Sequence, residues 1–204
     1  MTKLNPENLC ADLLESNEYR EDAMNYMLQM QYDLQKFVAN KRGNLAPDAD
    51  VSLFELAKES IYYWGCVTTE YAELQERDWV KFLNEKKTTG QDNKGLLETQ
   101  FEYIDMFHFI MNFFIFSGIN KVDITLENMF NDTPELIYTP TKTLEDAWSY
   151  LCVSVGEFID MLPYKHWKTY DNPTVNMDIL KNKANEILFI FVYMGTDRDW
   201  ETYQ

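Results

Sequence analysis

Apolar residues recur every three or four positions along almost the whole chain, which is the spacing of one face of an α-helix. Alternation of apolar and polar residues, the pattern of a half-buried strand, is hard to find, and glycine and proline are scarce. This pattern predicts an all-α fold, a helical bundle. Five helices are predicted, at about residues 16–40, 52–78, 96–117, 143–162 and 177–194. Turn-rich segments separate them, among them a polar loop at 84–95 and a linker at 131–142.

Local signals predict how these helices begin, end and face the core. Ser52 followed by Glu55 has the spacing of a capping box and predicts the start of the second helix. Gly118 is expected to end the third helix, and Gly195 the fifth. The apolar residues expected to form the inward face of the first helix are Tyr26, Met27, Met30, Leu34, Phe37 and Val38.

The third helix is the most hydrophobic part of the chain. Between Phe101 and Phe116 apolar residues surround nearly its full circumference, and such a helix is expected to be buried. At about 100° per residue, its polar residues fall within one third of the turn. These residues are Glu102, Asp105, His108 and Asn112. Because isolated buried carboxylates are strongly disfavoured, they shift their pKa, pair with cations or bind a metal.

A second acidic pair, Glu70 and Glu73, lies one turn apart on one face of the second helix, with Glu59 eleven residues earlier on the same side. A short connection favours an antiparallel arrangement of the second and third helices. Four carboxylates would then converge, and hard cations such as Mg²⁺ prefer oxygen ligands. The sequence therefore predicts a metal site between these helices.

The alternative for each acidic pair is an ordinary solvated helix face. With 34 acidic residues in the chain, a Glu-x-x-Glu spacing also arises by chance, and Glu70 and Glu73 alone favour the solvated face. The apolar surroundings of Glu102 and Asp105 favour the metal site. His108 is expected to be a hydrogen-bonded core side chain or a substrate contact, not a metal ligand.

The composition excludes several kinds of partner. A net charge of −16 disfavours a partner such as DNA or RNA, whose recognition needs basic surface. The longest apolar run, 106–116, is too short to span a bilayer, so no membrane partner is expected. Three cysteines without CxxC spacing are typical of reduced thiols in a cytoplasmic protein.

The ordered acidic motifs resemble the signature of the all-α nucleoside triphosphate pyrophosphatases, which include MazG-type enzymes and dimeric dUTPases. The dUTPase/dCTPase branch of bacteriophages is especially similar. Its second motif resembles FEYIDMFHFIMNFFIFSG, and its first resembles MLQMQYDLQKFVAN, in which Gln31 matches a base-contacting glutamine. The resemblance covers about residues 26–118. It implies one pyrophosphatase domain over 1–204, with the metal and nucleotide core at about 16–118 and additional helices at about 119–204.

This resemblance implies hydrolysis of a pyrimidine deoxynucleoside triphosphate, dUTP or dCTP or both, to the monophosphate and pyrophosphate. Such an activity limits the incorporation of uracil or cytosine into DNA. Two or more Mg²⁺ ions, for which Mn²⁺ could substitute, would be held by Glu70, Glu73, Glu102 and Asp105. Glu73 is our choice for the carboxylate that deprotonates the attacking water, with Glu70 as the second catalytic carboxylate. A homodimer in the bacterial host cytosol is implied as well.

The nucleotide-binding residues are also expected from the resemblance. Gln31, His108 and Asn112 are candidates for the base pocket, and Trp64 and Trp79 for its walls. The family's phosphate-binding motif is Lys, then Asn four residues on, then Arg three residues on. Lys181 and Asn185 match it, but the arginine position holds Leu188. Lys183, Lys168, Arg198 or a lysine of the 84–95 loop could substitute. The alternative for Lys181 and Asn185 is the exposed face of an amphipathic helix.

The sequence leaves the base and the activity class open. Uracil and cytosine differ by one donor–acceptor swap, which the flip of an amide side chain accommodates. Another nucleotide, such as dTTP or a modified nucleotide, is a second candidate substrate. A catalytically weak nucleotide- or partner-binding protein on the same fold is the alternative from a different class, and Leu188 favours it.

Overall fold

The computed structural model describes residues 17–76, 93–122, 144–165 and 175–196. The helices in these segments are α1 (Asn17–Arg42), α2 (Leu53–Glu76), α3 (Asn93–Phe116), α4 (Leu144–Asp160) and α5 (Met177–Thr196). The described segments contain no strand, so the predicted all-α class is confirmed. Most of the predicted loop 84–95, all of the predicted linker 131–142, Trp79, Lys168 and Arg198 lie outside the described residues.

The predicted helix boundaries are correct to within a few residues. The Ser52 hydroxyl accepts a hydrogen bond from the Glu55 amide at 3.2 Å, as the predicted N-cap requires. At two ends the prediction was wrong. Helix α3 already begins at Asn93, inside the predicted loop, and α5 continues through Gly195 to Thr196. Glycine lowers helix stability only modestly, so a glycine in a last turn need not end the helix.

A Schellman motif ends α3 at the predicted glycine. Gly118 adopts a φ of 84°, which is unfavourable for residues with a Cβ atom. The Ile119 amide donates to the Phe114 carbonyl at 2.9 Å, and the Gly118 amide donates to the Ile115 carbonyl at 3.0 Å. The chain therefore leaves the helix with the last carbonyls satisfied, although they lie in the core.

Helix α3 is the centre of the molecule, and it packs against α1, α2 and α5, while α4 packs against α5. The α2 helix runs antiparallel to α3, as predicted, because Ser60 contacts Phe113 near one end and Glu70 lies beside Glu102 near the other. The last two turns of α3, residues 110–116, are fully buried. The same core includes side chains from α4 and α5, among them Leu151, Phe158, Leu180, Ile187 and Phe191.

Residues 101–108 of α3 are less buried than the sequence predicts. Phe101 and Ile104 are exposed, and so are Asp105 and His108. Along these residues, α3 presents one side to the core and another to the outside. The prediction of burial around the full circumference is therefore right for residues 110–116 only.

The predicted inward face of α1 is also wrong. Tyr26, Met30, Leu34 and Phe37 have between 48% and 59% of their surface exposed, and Met27 and Val38 are half-buried. The residues that α1 buries are Met24, Leu28, Gln31 and Ala39. Tyr26, Met30, Leu34 and Phe37, which the sequence predicts to face inward, therefore point away from the core. The face of α1 that packs against the core includes the polar side chain of Gln31.

None of the helices in the described part of the chain has the length and apolar character needed to cross a membrane.

Candidate metal and nucleotide site

Three of the predicted carboxylates meet between α2 and α3. Glu70, Glu102 and Asp105 each offer one oxygen atom, and these atoms all lie within 4.8 Å of one another. Glu102 is only 8% exposed, Glu70 is half-buried and Asp105 is exposed. The antiparallel packing of the two helices brings Glu70 to the same level as the Glu-x-x-Asp pair. The acidic group therefore has a buried side and a side open to solvent.

The electrostatics of this acidic triad (Glu70, Glu102 and Asp105) disfavour three negative charges at once. Burial raises the pKa of Glu70 to about 7, with further contributions from a hydrogen bond to Glu102 and from the charges of Glu73, Glu102 and Asp105. A proton shared at Glu70 relieves this repulsion in the metal-free site. A divalent cation would relieve it more completely, since oxygen-rich carboxylate sites suit Mg²⁺.

The other predicted acidic residues lie around the acidic triad. Glu73 is exposed one turn further along α2, and its charge contributes to the raised pKa of Glu70. Glu59 is half-buried, and burial raises its pKa, but it precedes Glu70 by eleven residues, about 16 Å along the helix. Glu73 can thus act beside the triad, whereas Glu59 belongs to a different part of α2.

The residues expected to contact the base are joined by hydrogen bonds between α1 and α3. Gln31 Nε2 donates to Asn112 Oδ1 at 2.8 Å, and His108 Nδ1 lies 2.9 Å from Gln31 Oε1. Gln31 is 5% exposed and Asn112 2% exposed, while His108 lies at the surface. His108 is therefore hydrogen-bonded, as expected, but it is not a core side chain. One turn of α3 separates Asp105 from His108, so this polar group adjoins the acidic triad.

Two polar contacts that the sequence did not reveal hold α3 in place. The buried Ser60 hydroxyl donates to the Phe113 carbonyl at 2.8 Å and lies 2.6 Å from the Ser117 hydroxyl. The Asn25 side chain donates to the Val122 carbonyl at 2.9 Å and accepts from its amide at 2.8 Å. A serine or asparagine within a helix carries no sequence signal for such a partner, because the partner is distant in the chain.

Trp64 lies in an aromatic stack rather than against an open surface. Trp148 of α4 lies between Tyr71, at 3.8 Å between ring centroids, and Trp64, at 5.6 Å, and both pairs are nearly parallel. Tyr71 is the residue next to Glu70, so α4 supports α2 directly beside the acidic triad. Trp64 therefore contributes to the packing behind the site, and its predicted role as a pocket wall stays a prediction.

The predicted phosphate-binding residues lie further along the bundle. Tyr103, next to Glu102, stacks on Phe191 of α5 at 4.4 Å and donates a hydrogen bond to its carbonyl. Asn185 and Lys181 precede Phe191 by six and ten residues, about 9 and 15 Å along α5. Both are half-buried, and their phosphate-binding role stays a prediction.

The structure explains why the arginine position of the phosphate motif can hold a leucine. Leu188 is 2% exposed and belongs to the main hydrophobic core, where an arginine would leave its charge buried. Lys183, the suggested substitute, pairs with Glu157 at 2.7 Å and with Glu186 at 2.6 Å. Its charge is therefore engaged in the contact between α4 and α5.

In the described part of the chain, the Glu-x-x-Glu segment of α2 lies antiparallel to the Glu-x-x-Asp segment of α3, within an all-α bundle. Among known proteins, the dCTP pyrophosphatase of Enterobacteria phage T4 is similar to this chain. The two sequences are 28% identical, and the matched region covers 57% of this chain and 86% of the phage enzyme. The chain is thus a distant relative of the phage dCTPase group of nucleotide pyrophosphatases, as its motifs predicted.

No family model matches the sequence, and no solved structure is significantly similar to the fold.

Proposed function

We propose that this protein is a Mg²⁺-dependent pyrophosphohydrolase that converts dUTP, dCTP or both to the monophosphate and pyrophosphate. The observation that carries the proposal is the acidic triad, in which a buried Glu102, Glu70 and Asp105 face one another across two helices. The distant relationship to a dCTP pyrophosphatase supports a nucleotide pyrophosphatase activity.

The donor set suits a hard divalent cation. Glu70, Glu102 and Asp105 supply only carboxylate oxygens, and burial together with the neighbouring carboxylates raises the pKa of Glu70. Glu73 lies one turn away and could complete the set or serve a second ion. Bound Mg²⁺, or Mn²⁺ in its place, would supply the positive charge that neutralises the triphosphate and the leaving pyrophosphate. Without such charge, a protein of net charge −16 would repel its substrate.

The side chains of the site have distinct proposed roles. Glu73 is exposed and lies outside the acidic triad, so its carboxylate is available to orient the attacking water and accept its proton. His108 and Asn112, one and two turns along α3 from Asp105, would contact the pyrimidine together with Gln31 of α1, which is hydrogen-bonded to both. Lys181 and Asn185 remain candidates for the phosphate end of the substrate.

A homodimer is part of the proposal. Its support is the exposed apolar stripe of α1, here called the α1 seam, in which Tyr26, Met30, Leu34 and Phe37 recur every three or four residues on one face of the helix. The proposed setting is the cytosol of a bacterial host. Cys66 and Cys152 are free thiols, which agrees with a reducing compartment.

One observation favours a second candidate function. Because Leu188 is in the core and Lys183 is paired with two glutamates, the described part of α5 does not reproduce the family's Lys-Asn-Arg phosphate motif. A protein that binds nucleotide or a partner with little turnover would tolerate this change. A pyrophosphatase for dTTP or a modified nucleotide is the alternative within the enzyme class.

The test is a panel of deoxynucleoside triphosphates assayed with and without Mg²⁺, with pyrophosphate and orthophosphate release measured separately. We expect pyrophosphate from dUTP or dCTP, only when the metal is present. Glu102→Gln should lower kcat more than about 100-fold, since even outer-shell partners of metal ligands contribute 10–100-fold. Glu145→Gln, an exposed position at the start of α4, should keep wild-type activity.

The other outcomes separate the alternatives. Orthophosphate release would reject cleavage between the α- and β-phosphates. Turnover of dTTP alone would favour the alternative substrate. Binding of nucleotide without turnover would favour the binding protein.

A further inference from the structure

The side chains of Gln31, His108 and Asn112 form one chain of hydrogen bonds with a buried centre, which we call the relay. Gln31 supplies the middle of this relay, with Nε2 donating to Asn112 and Oε1 facing His108 Nδ1. Because Gln31 Oε1 can only accept, the His108 ring carries its proton on Nδ1 in this arrangement. The direction of every hydrogen bond in the relay is therefore fixed by the orientation of one amide.

The relay has a second hydrogen-bond pattern, in which the same side chains stay paired but donors and acceptors are exchanged. We call each of the two patterns a register. If the Gln31 amide turns over, its Nε2 donates to His108 Nδ1 and its Oε1 accepts from Asn112 Nδ2, with the Asn112 amide reversed. The neutral imidazole then carries its proton on Nε2. Both registers contain two hydrogen bonds between the same side chains, so nothing in the relay itself strongly favours one of them.

Each end of the relay keeps one polar atom for a ligand. Among the described residues, none accepts a hydrogen bond from Asn112 Nδ2, although the side chain is only 2% exposed, and none pairs with His108 Nε2. A buried amide without a partner is disfavoured, which points to a ligand atom at that end. In the observed register Asn112 offers a donor and His108 an acceptor. In the other register these roles are exchanged.

We propose that this relay reads position 4 of the pyrimidine and lets one site accept both cytosine and uracil. Uracil carries an acceptor there, O4, and cytosine carries a donor, its amino group. Whichever end of the relay faces position 4, a change of register exchanges donor and acceptor at that end. The proposal rests on the proposed function and adds that Gln31, His108 and Asn112 determine base specificity as a coupled unit.

The experiment measures kcat/KM for dCTP and dUTP with Mg²⁺ at pH 8. For the wild type we expect values within about tenfold of each other, since the registers differ by less than about 1.4 kcal/mol. Asn112→Asp places acceptors only at position 112, so Gln31 must donate to it and His108 must present an acceptor. Both ends then disfavour O4, and the dCTP/dUTP ratio should rise about 10- to 100-fold.

A second variant and a matched control guard against effects on folding or charge. Gln31→Glu also accepts at both ends, so it should raise the same ratio even if Asn112→Asp does not fold. Gln29→Glu adds the same charge two residues away, at an exposed position of α1, and should leave the ratio unchanged. Helix content by circular dichroism checks each fold.

The outcomes distinguish the relay from the proposed function. If the wild type hydrolyses both nucleotides and neither variant moves the ratio, or both variants lower the two activities equally, the relay is overturned and the enzyme stands. A wild-type preference above about 100-fold for either base would also overturn it. If the wild type hydrolyses no pyrimidine nucleotide, the proposed function fails, and the relay fails with it.

Discussion

Glu70 shows how the fold changes the chemistry of an ordinary residue. In an extended chain its carboxyl group would ionise near pH 4.5, but burial and the neighbouring acids raise its pKa to about 7. The folded, metal-free protein therefore binds a proton at Glu70 that the unfolded chain releases. The titration of Glu70 can therefore test the environment of the acidic triad without a substrate.

The stability of the metal-free protein should depend on pH through Glu70. Since its pKa is raised in the folded state, its favourable contribution is full below about pH 4.5 and is lost as the pH rises through about 7. Glu70→Gln keeps the shape of the side chain but does not titrate. We expect the difference in Tm, variant minus wild type, to grow between pH 5 and pH 8 in the presence of a chelator.

Two further measurements complete this test. Mg²⁺ at pH 8 should raise the Tm of the wild type more than that of Glu70→Gln, because a ligand that binds only the folded state stabilises it. Glu145→Gln controls for the removal of one acidic side chain outside the site. Parallel pH profiles for the wild type and Glu70→Gln would contradict the assigned environment of Glu70.

At the scale of the helix, α3 depends on how it ends. Its last turn is buried and leaves four carbonyl groups without partners inside the helix. The Schellman motif at Gly118 provides hydrogen bonds to two of them. Ser60 and Ser117 add hydrogen bonds to the Phe113 carbonyl one turn earlier. These contacts fix the register of α3 against α2, and thereby the position of Glu102 and Asp105 opposite Glu70.

Gly118→Ala should lower the free energy of unfolding by about 1–2 kcal/mol, the cost of a left-handed backbone for a residue with a Cβ atom. The added methyl group would meet Met177 at 3.6 Å, an ordinary contact, so the backbone is the main reason. Gly156→Ala is the matched control, since this glycine lies within α4 with open space around it. It should stabilise the protein by up to about 1 kcal/mol.

Urea unfolding of both variants measures these two changes. A Gly118→Ala protein as stable as the wild type would show that the end of α3 is not held in the left-handed conformation.

At the scale of the whole molecule, the charge and the exposed apolar stripe have opposite effects on association. A net charge of −16 makes two copies repel each other, whereas the α1 seam gains free energy when it is covered.

We therefore predict a homodimer through α1, with two copies of the 24.2 kDa chain seen by light scattering. Leu34→Glu should yield monomers, since it places a charge in the middle of the seam. Val153→Glu, at an exposed apolar position of α4 outside the seam, should remain dimeric. Higher salt should strengthen the wild-type dimer by screening the net charge. A wild type that is monomeric at micromolar concentrations would contradict this prediction.

The local features of the fold could be predicted from the sequence because their causes are local. Helix periodicity, the Ser52 cap and the Gly118 stop depend on residues a few positions apart, and they are found where predicted. The position of Glu102 and Asp105 on one side of α3 follows from helix geometry in the same way. The direction in which α1 faces could not be predicted in this way, because its apolar stripe would suit a core or an interface between two copies equally well.

By itself, the sequence determined the all-α class, the order of the helices and the acidic residues available to a site, since helix periodicity and residue chemistry are properties of neighbouring positions. Only the tertiary structure decided which residues meet. It brought Glu70 to Glu102 and Asp105, left Glu73 outside them, joined Gln31 to His108 and Asn112, and buried Leu188. Each of these contacts joins residues on different helices, and their relative placement depends on the packing of the whole core rather than on any local pattern.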